Sequence, residues 1–206
     1  MLFGTPNNVY STSNEINDYG LISLMYHRFE ENKYPSTNIK KDDFQEHIKE
    51  IKNNKIIFIN PNNFENSIKN QKHKRKILLT FDDGFLSFYE IAWPILKKER
   101  IPFILFVNTR EVGSYNYMNW NQIKEISKED YAHIGNHSHS HEYLVDMSKD
   151  KILEDLKKSI SIFNKELGFQ SDFFSYPFGE YSLNFKEIVS SLGFKYAFGQ
   201  HSGVID

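Results

Sequence analysis

Two carboxylates, Asp82 and Asp83, lie side by side in the stretch 78–84, which reads LLTFDDG. Residues 77–81 predict a short apolar strand, and Gly84 allows the backbone to turn sharply after it. In α/β folds, ligands bind at the carboxyl ends of strands. Adjacent side chains leave a strand end in different directions, so one carboxylate can bind a metal while the other accepts a proton.

Three histidines alternate with serines at residues 137–141, HSHSH. His137 and His141 are four residues apart, a spacing that places both on one face of a helical turn, and Asp83 would be a third ligand. Two histidines and one carboxylate leave a coordination position open for water, as in catalytic zinc sites. Water acidified by a metal is a nucleophile near neutral pH, and Asp82 could take its proton. The alternative is a polar surface loop whose histidines bind nothing.

The composition limits the classes of function. With 206 residues, the chain is long enough for one domain with a sizeable core. The 25 basic and 27 acidic residues nearly cancel, which argues against nucleic acid as a partner. The chain has no cysteine, so any metal must be bound by histidine and carboxylate. The 18 Phe and 12 Tyr predict an aromatic core, although some rings could line a sugar-binding groove.

The two ends of the chain carry few signals. The first residues, MLFGTPNN, lack the basic and apolar regions of a secretory signal, and no run is long enough for a membrane span. We therefore expect either a cytoplasmic protein or an extracytoplasmic enzyme trimmed of its leader. The chain ends at GVID directly after a strand-like segment, so we also expect that it is truncated at its C-terminus. The sequence indicates no oligomeric state.

Short apolar segments alternate with amphipathic ones after a polar lead-in at residues 1–20. The predicted strands are 21–25, 56–59, 77–81, 103–107, 133–136, 173–176 and 195–198. The predicted helices are 42–53 capped by Asp42 or Asp43, 64–69, 86–99 interrupted at Pro94, 122–126, a long one from 148 or 150 to 167, and 184–192. The basic run 72–76 predicts a solvated linker. This alternation predicts a parallel α/β fold over residues 21–206, either a barrel or a wound sheet.

Three motifs resemble those of the polysaccharide deacetylases, the NodB-homology or carbohydrate esterase family 4 group. TFDDG at 80–84 resembles the first motif, HSHSH at 137–141 the second, and SYPFG at 175–179 the third. The motifs occur in the family's order, and the resemblance spans about residues 21–200. The third motif is most similar to that of deacetylases acting on poly-β-1,6-N-acetylglucosamine.

The resemblance implies a deformed (β/α) barrel of the NodB-homology type. It also implies metal-dependent removal of acetyl groups from a carbohydrate substrate, the N-acetylated sugars of a polysaccharide or glycan. Asp83, His137 and His141 would then bind a divalent metal, usually zinc, and Asp82 would be the general base. His139 aligns with a variable position of the motif, so we expect it to lie outside the ligand set.

The third motif would provide the oxyanion site and part of the substrate site. The backbone N–H of Phe178 would bind the oxyanion that forms when water attacks the acetyl carbonyl. Tyr176, Pro177 and Gly179 would line the substrate site around it. In the second motif, Ser138 would support the loop by hydrogen bonding.

The sequence departs from the family at two points. The arginine that usually orients the base aligns with Ser175, so Asp82 must be held in another way. The late motifs that supply the general acid are not recognisable. His27, which follows the first strand, and His201, which follows the last and would also contact substrate, are two candidates for the acid, and neither is a third possibility.

Aromatic side chains for sugar stacking are harder to assign. Tyr26, Trp120 and Tyr143 are candidates, although Trp120 is better explained by packing. Two other functions are compatible with the motifs. The same chemistry could act on peptidoglycan or on a lipid- or nucleotide-linked sugar, or the chain could be a degenerate relative that binds carbohydrate without catalysis.

Overall fold

The computed structural model describes residues 20–69 and 75–201. Nine strands lie within these two ranges: β1 (Gly20–Tyr26), β2 (Arg28–Phe29), β3 (Asn38–Ile39), β4 (Ile57–Phe58), β5 (Arg75–Phe81), β6 (Phe103–Val107), β7 (Ala132–Asn136), β8 (Phe173–Ser175) and β9 (Tyr196–Phe198). The same ranges contain six α-helices: α1 (Lys41–Asn53), α2 (Phe64–Lys69), α3 (Trp93–Glu99), α4 (Trp120–Ile126), α5 (Lys149–Leu167) and α6 (Leu183–Ser191). Most of the predicted lead-in and the end of the chain lie outside the described residues.

The strands of the main sheet are all parallel. They lie in the order β1-β5-β6-β7-β8-β9, with β4 paired to β5 in addition, and β2 and β3 form a separate two-stranded sheet. In the part of the chain that the structure describes, no pairing joins β9 to β1. The sheet therefore curls into an open, deformed (β/α) barrel, which confirms the predicted fold class.

The central strands β5 and β6 are buried on both faces, as expected of parallel strands covered by other elements. Leu78 and Ile104 belong to the cluster on the inner face of the curled sheet. Leu79 and Leu105 belong to the cluster on the outer face, which includes buried residues of α1, α3 and α4. Because alternate residues of a strand share a face, Asp82 continues the inner row at the end of β5.

Helix α5 is the longest described helix and packs with α6 over a third cluster, which includes Phe174 and Tyr176 of the β8 segment. It ends at Gly168, whose φ of +79° lies in the left-handed region that favours glycine. Both bounds of α5 agree with the prediction. No helix within the described residues has the length and apolar character needed to span a bilayer.

The predicted cap of α1 is wrong. Lys40 occupies the N-cap position, and Asp42 and Asp43 lie inside the first turn. A carboxylate in the first turn stabilises the helix by interacting with the helix dipole rather than by capping. An aspartate at the N-cap and one in the first turn look alike in the sequence, since both place acidic residues at the start of the helix.

The predicted basic linker is also partly wrong. Residues 72–74 lie outside the described residues, but Arg75 and Lys76 already belong to β5. Lys76 is only 9% exposed, and its ammonium donates a hydrogen bond to the carbonyl of Ser67. Farther along, the break expected near Pro94 is present, because the π-helical segment Phe88–Ala92 precedes α3 and Pro94 lies in its first turn.

Candidate active site

The carboxylate turn, residues 82–84, follows β5 directly. The Asp82 N–H donates to the carbonyl of Tyr26 at 2.9 Å, which extends the pairing with β1. Asp83 and Gly84 both have a φ of +74°. This conformation is uncommon for an aspartate, and the Asn108 amide donates to the Asp83 carbonyl at 3.3 Å. The turn points Asp82 to the inner face and Asp83 towards the histidines.

The histidine loop, residues 137–142, follows β7 and is not helical, so the predicted helical turn is wrong. Ser138 and His141 have φ angles of +67° and +52°, which an α-helical turn excludes. The Ser138 hydroxyl accepts the His141 N–H at 3.0 Å, so the serine supports the loop by the predicted kind of contact. The His139 ring lies 2.9 Å from the Thr109 hydroxyl.

Asp83, His137 and His141 form a compact group of metal-ligand types. One potential ligand atom from each lies within 4.8 Å of the other two. Asp83 Oδ1 is 3.2 Å from His141 Nε2 and 3.5 Å from His137 Nε2. His139 does not belong to this group. The loop thus brings together the two histidines that the sequence singled out, although by a different backbone path.

Both histidines of the group suit a metal. Burial lowers the pKa of His137 and of His141, so neutral imidazoles with a free lone pair prevail at neutral pH. His137 Nδ1 lies 2.7 Å from the Ser175 carbonyl, which can only accept a hydrogen bond. The Nδ1 therefore carries the proton, and Nε2 presents its lone pair to Asp83.

Asp82 lies beside this group and is 4% exposed. Burial raises its pKa to about 7, and the charge of Asp83 acts in the same direction, while the charge of His27 opposes the shift. Its Oδ2 lies 3.8 Å from His137 Nε2. Its Oδ1 is buried, and no hydrogen-bond partner for it is found among the described residues. A carboxylate with a free oxygen and a pKa near neutrality is suited to accept a proton.

Ser175 is a site residue that the sequence prediction missed. Its hydroxyl donates to Asp82 Oδ2 at 3.0 Å, and its side chain is almost completely buried. Ser175 is the residue that aligns with the family's arginine, and this hydrogen bond is the contact by which it holds Asp82. The only signal in the sequence was the serine at this position of the third motif. It indicated that an arginine is missing, and it did not indicate a hydrogen bond to Asp82. Asn108, directly after β6, was also missed.

A cavity of about 290 Å³ lies above the carboxylates and histidines. It is lined by His27, Asp82, Asp83, His137 and His141, and by parts of the third motif. A larger, mainly apolar cavity of about 660 Å³ opens between β1 and β9 and contains His201. The structure therefore places His27 in the same cavity as Asp83, His137 and His141. His201 lines the neighbouring cavity, which shares Asp82 and Ser175 with the first, and packs on Tyr181.

The residues of the third motif have different environments. Tyr176 is 4% exposed, and its ring packs in the core against Phe185, so only part of this residue lines the cavity. Pro177 is buried. Phe178 has a φ of +58°, is 52% exposed, and lies over the His141 ring at 4.9 Å between centroids. Gly179 lines the cavity with a φ of +70°.

The three stacking candidates also differ. Tyr26 is buried, with its hydroxyl 3.0 Å from His47 Nδ1 and its ring on Phe44, so its assignment to sugar stacking is wrong. It lies at the end of β1 on the face covered by α1. Trp120 packs on Phe163, in agreement with a packing role. Tyr143 is 46% exposed and lies 5.7 Å from the Phe178 ring.

Comparisons with known proteins agree with these motifs. The family model described as "Polysaccharide deacetylase" matches residues 69–197. The chain is 29% identical over 175 residues to poly-beta-1,6-N-acetyl-D-glucosamine N-deacetylase of Staphylococcus aureus (strain MRSA252), with 78% of this chain and 60% of that protein covered. The chain spans about three-fifths of the length of the curated relatives it matches.

Solved structures show the same fold. IcaB from Ammonifex degensii superposes with a TM-score of 0.84 at 27% identity, covering 92% of this chain and 87% of that one. The Streptococcus pyogenes deacetylase PplD, solved in complex with acetate, superposes with a TM-score of 0.81 at 25% identity, covering 90% and 85% of the two chains.

Proposed function

Because this chain belongs to the polysaccharide deacetylase family, we propose that it is a metal-dependent hydrolase acting on N-acetylated sugars of a polysaccharide. Residues 21–206 would form its NodB-homology catalytic domain. The observation that carries the proposal is the buried Asp82 carboxylate beside the group of Asp83, His137 and His141 in one cavity. The similarity to a poly-beta-1,6-N-acetyl-D-glucosamine N-deacetylase favours a β-linked N-acetylglucosamine polymer as the substrate.

The proposed metal site uses Asp83, His137 and His141. Two imidazoles and one carboxylate suit a divalent cation such as Zn²⁺, and the hydrogen bond from His137 Nδ1 to the Ser175 carbonyl fixes the tautomer that a ligand needs. A bound cation would acidify water and polarise the acetyl carbonyl. Because Asp83 is the one carboxylate among the three proposed ligands, Asp82 remains available for proton transfer.

Asp82 is the proposed general base. Above pH 7 its carboxylate is ionised, since burial raises its pKa to about 7, and Ser175 holds one of its oxygens. The second oxygen faces no partner among the described residues and can accept a proton from the attacking water. The water oxygen then bonds to the acetyl carbon.

Phe178 is the proposed donor to the oxyanion, and His27 is the proposed general acid for the sugar nitrogen. The backbone N–H of Phe178 donates to the oxyanion, in a loop whose left-handed residue fixes its direction. His27, which lines the same cavity as the proposed metal ligands, gives a proton to the sugar nitrogen as its bond to the acetyl carbon breaks. The products are acetate and the free amino sugar. His201 lies farther along and would contact the polymer.

Acetate release from a β-1,6-N-acetylglucosamine oligomer tests the proposal, together with metal analysis of the purified chain. We expect one equivalent of Zn²⁺ per chain and loss of activity after chelation, with recovery when Zn²⁺ is added back. Asp82→Asn should lower the rate by about 10²- to 10⁴-fold, because a general base contributes that much, while zinc stays bound. Asp172→Asn, at an exposed carboxylate that pairs with Lys195, is the control and should change neither quantity.

Activity that survives both chelation and Asp82→Asn would contradict the mechanism. Bound zinc without turnover on any acetylated sugar would instead favour a degenerate, carbohydrate-binding protein. A panel that includes chitin oligomers and peptidoglycan fragments then identifies the substrate, because the site geometry describes the reaction and not the polymer.

A further inference from the structure

The histidine loop satisfies its backbone N–H groups in an unusual way. All six successive N–H groups, from residue 137 to residue 142, donate to acceptors within the protein. The acceptors are, in order, the Val107 carbonyl, Asn136 Oδ1, Asp155 Oδ1, Asp155 Oδ2, Ser138 Oγ and Ser140 Oγ, at 3.0, 2.9, 2.8, 3.0, 3.0 and 3.2 Å. For five of the six N–H groups, side chains therefore replace the backbone partners that a helix or strand would provide.

Asp155 differs from the other four acceptor residues in two respects. It is the only charged one, and it accepts two adjacent N–H groups, those of His139 and Ser140. It belongs to α5, which follows the loop in the sequence. Hydrogen bonds to a charged acceptor are roughly twice as strong as neutral ones. Asp155 is thus the strongest link between the loop and α5.

A second contact from the same face of α5 fixes the root of the loop. Ser159, four residues after Asp155, bonds to the Asn136 side chain at 3.0 to 3.1 Å. Asn136 in turn accepts the Ser138 N–H. On the other side of the loop, the Thr109 N–H donates to the Ser138 carbonyl at 3.2 Å. The peptide groups between His137 and His141 are held from two directions.

We propose that Asp155 is a positioning residue, which holds the histidine loop in the conformation that directs His141 at Asp83. The loop needs left-handed backbone at Ser138 and at His141, a conformation that costs free energy in non-glycine residues. The two bonds to Asp155 lie between these residues and offset that cost. This inference rests on the metal site of the proposed function, and it adds a residue that touches neither metal nor substrate.

The consequence is a dependence of metal affinity on Asp155. Without the carboxylate, the N–H groups of His139 and Ser140 lose their acceptors, and the loop can relax to conformations in which His141 no longer faces Asp83. Since His137 is anchored independently through Val107 and Ser175, the second histidine is the ligand that is lost. Outer-shell partners of metal ligands typically contribute 10- to 100-fold to affinity.

Zinc titration of the purified chain by calorimetry with a competing chelator tests this inference. Asp155→Asn, which keeps the size but replaces one acceptor oxygen by a donor, should weaken zinc binding by about 10- to 100-fold. Glu154→Gln is the matched control, since it removes an exposed carboxylate from the same turn of α5, and its affinity should equal that of the wild type. Asp155→Glu, which keeps both oxygens, should recover part of the affinity.

Two further measurements separate positioning from a general loss of structure. Amide exchange in Asp155→Asn should accelerate at His139 and Ser140 while the β5 and β6 amides keep their protection. A merely structural role would lower the unfolding temperature of the metal-free chain and leave the zinc affinity of the folded chain unchanged, which would overturn the inference. If Asp155→Asn fails to fold, the zinc affinity of Asp155→Glu is compared with that of Glu154→Gln. A lower affinity in Asp155→Glu supports the inference, and an equal affinity overturns it.

The wild type and His141→Ala separate this inference from the proposed function. No zinc binding by the wild type would refute the metal site itself. One-to-one binding by the wild type, lost in His141→Ala but equal in Asp155→Asn and Glu154→Gln, would refute only the role of Asp155.

Discussion

The histidine loop, residues 137–142, is held largely by side-chain acceptors, whereas the third-motif loop, residues 175–179, is shaped by left-handed backbone at Phe178 and Gly179. His137 is buried, and the N–H groups of its loop all donate within the protein. Phe178, in the second loop, is 52% exposed and has a left-handed φ. The two loops meet where the Phe178 ring lies over His141.

This difference agrees with the two tasks that we propose for the loops. Ligands for a metal need a fixed geometry, and the histidine loop is held from two directions. A donor to the oxyanion needs an N–H group directed at substrate, which would depend on backbone angles and on the close approach of a neighbour. Substitutions in the third-motif loop should therefore act through backbone geometry first and side-chain chemistry second.

The largest effect in the third-motif loop is expected for Gly179→Ala. A Cβ there would lie 2.7 Å from the backbone nitrogen of Gln200, and the φ of +70° is strained for alanine. Strain and overpacking each cost about 1–3 kcal/mol, so urea unfolding should show a loss on the order of 2–6 kcal/mol and acetate release should fall steeply.

Gly113→Ala is the control for this prediction. Gly113 has a φ of +85°, but a Cβ there meets no atom within 4 Å, so its cost is limited to backbone strain. Equal losses of stability in the two variants would show that the approach of Gln200 to the third-motif loop contributes nothing.

The fold was predictable because its signals are local. Residues 77–81 are apolar except for Thr80, and residues 103–107 are apolar throughout. Gly168 ends α5 where a left-handed residue is needed, so these elements agree with the prediction to within about two residues. β2 and β3 were missed, since neither lies in a run of apolar residues, unlike the equally short β4 within residues 56–59. Pairing with distant segments decides whether such residues form a strand.

The site was only partly predictable, for a related reason. The DDG and HSHSH motifs name the residue types that chemistry needs. The spacing paired His137 with His141, and the resemblance to the family assigned Asp83, rather than Asp82, to the same group. Spacing also suggested a helical turn, but the contacts of Asp155 and Thr109 with the loop select a different backbone. Those contacts join residues far apart in the sequence, and nothing local encodes them.

A smaller effect, with a distinct pH signature, is expected for Ser175→Ala. The Ser175 hydroxyl stabilises the charged form of Asp82 and so lowers its pKa. Protonated Asp82 cannot accept a proton, so kcat/KM should fall as pH drops through about 7 in the wild type. Without the hydroxyl the acid limb moves to higher pH. A hydrogen bond to a charged group contributes about 1.5–3 kcal/mol, so the rate at pH 7 should fall on the order of tenfold and recover at higher pH.

The pH profiles of two other variants test the reason for this shift. Ser175→Thr keeps the hydroxyl and should keep the wild-type acid limb. Ser171→Ala removes another buried serine hydroxyl, which bonds to His133 and not to Asp82, so it should leave the profile unchanged. A uniform loss of rate in Ser175→Ala, with the same acid limb as the wild type, would mean that this serine only fills space.

The smallest effect is expected for Phe178→Ala. This variant distinguishes the contribution of the Phe178 ring from that of its backbone N–H most directly. The substitution leaves the N–H in place and removes a half-exposed ring that contacts His141 and Tyr143. We expect kcat to stay within about threefold of the wild type, while KM rises because the ring no longer covers the bound sugar. A kcat loss comparable to that of Asp82→Asn would show that the ring itself acts in the reaction. Because alanine and phenylalanine bear a similar strain at a φ of +58°, the comparison changes the side chain while the direction of the N–H stays the same.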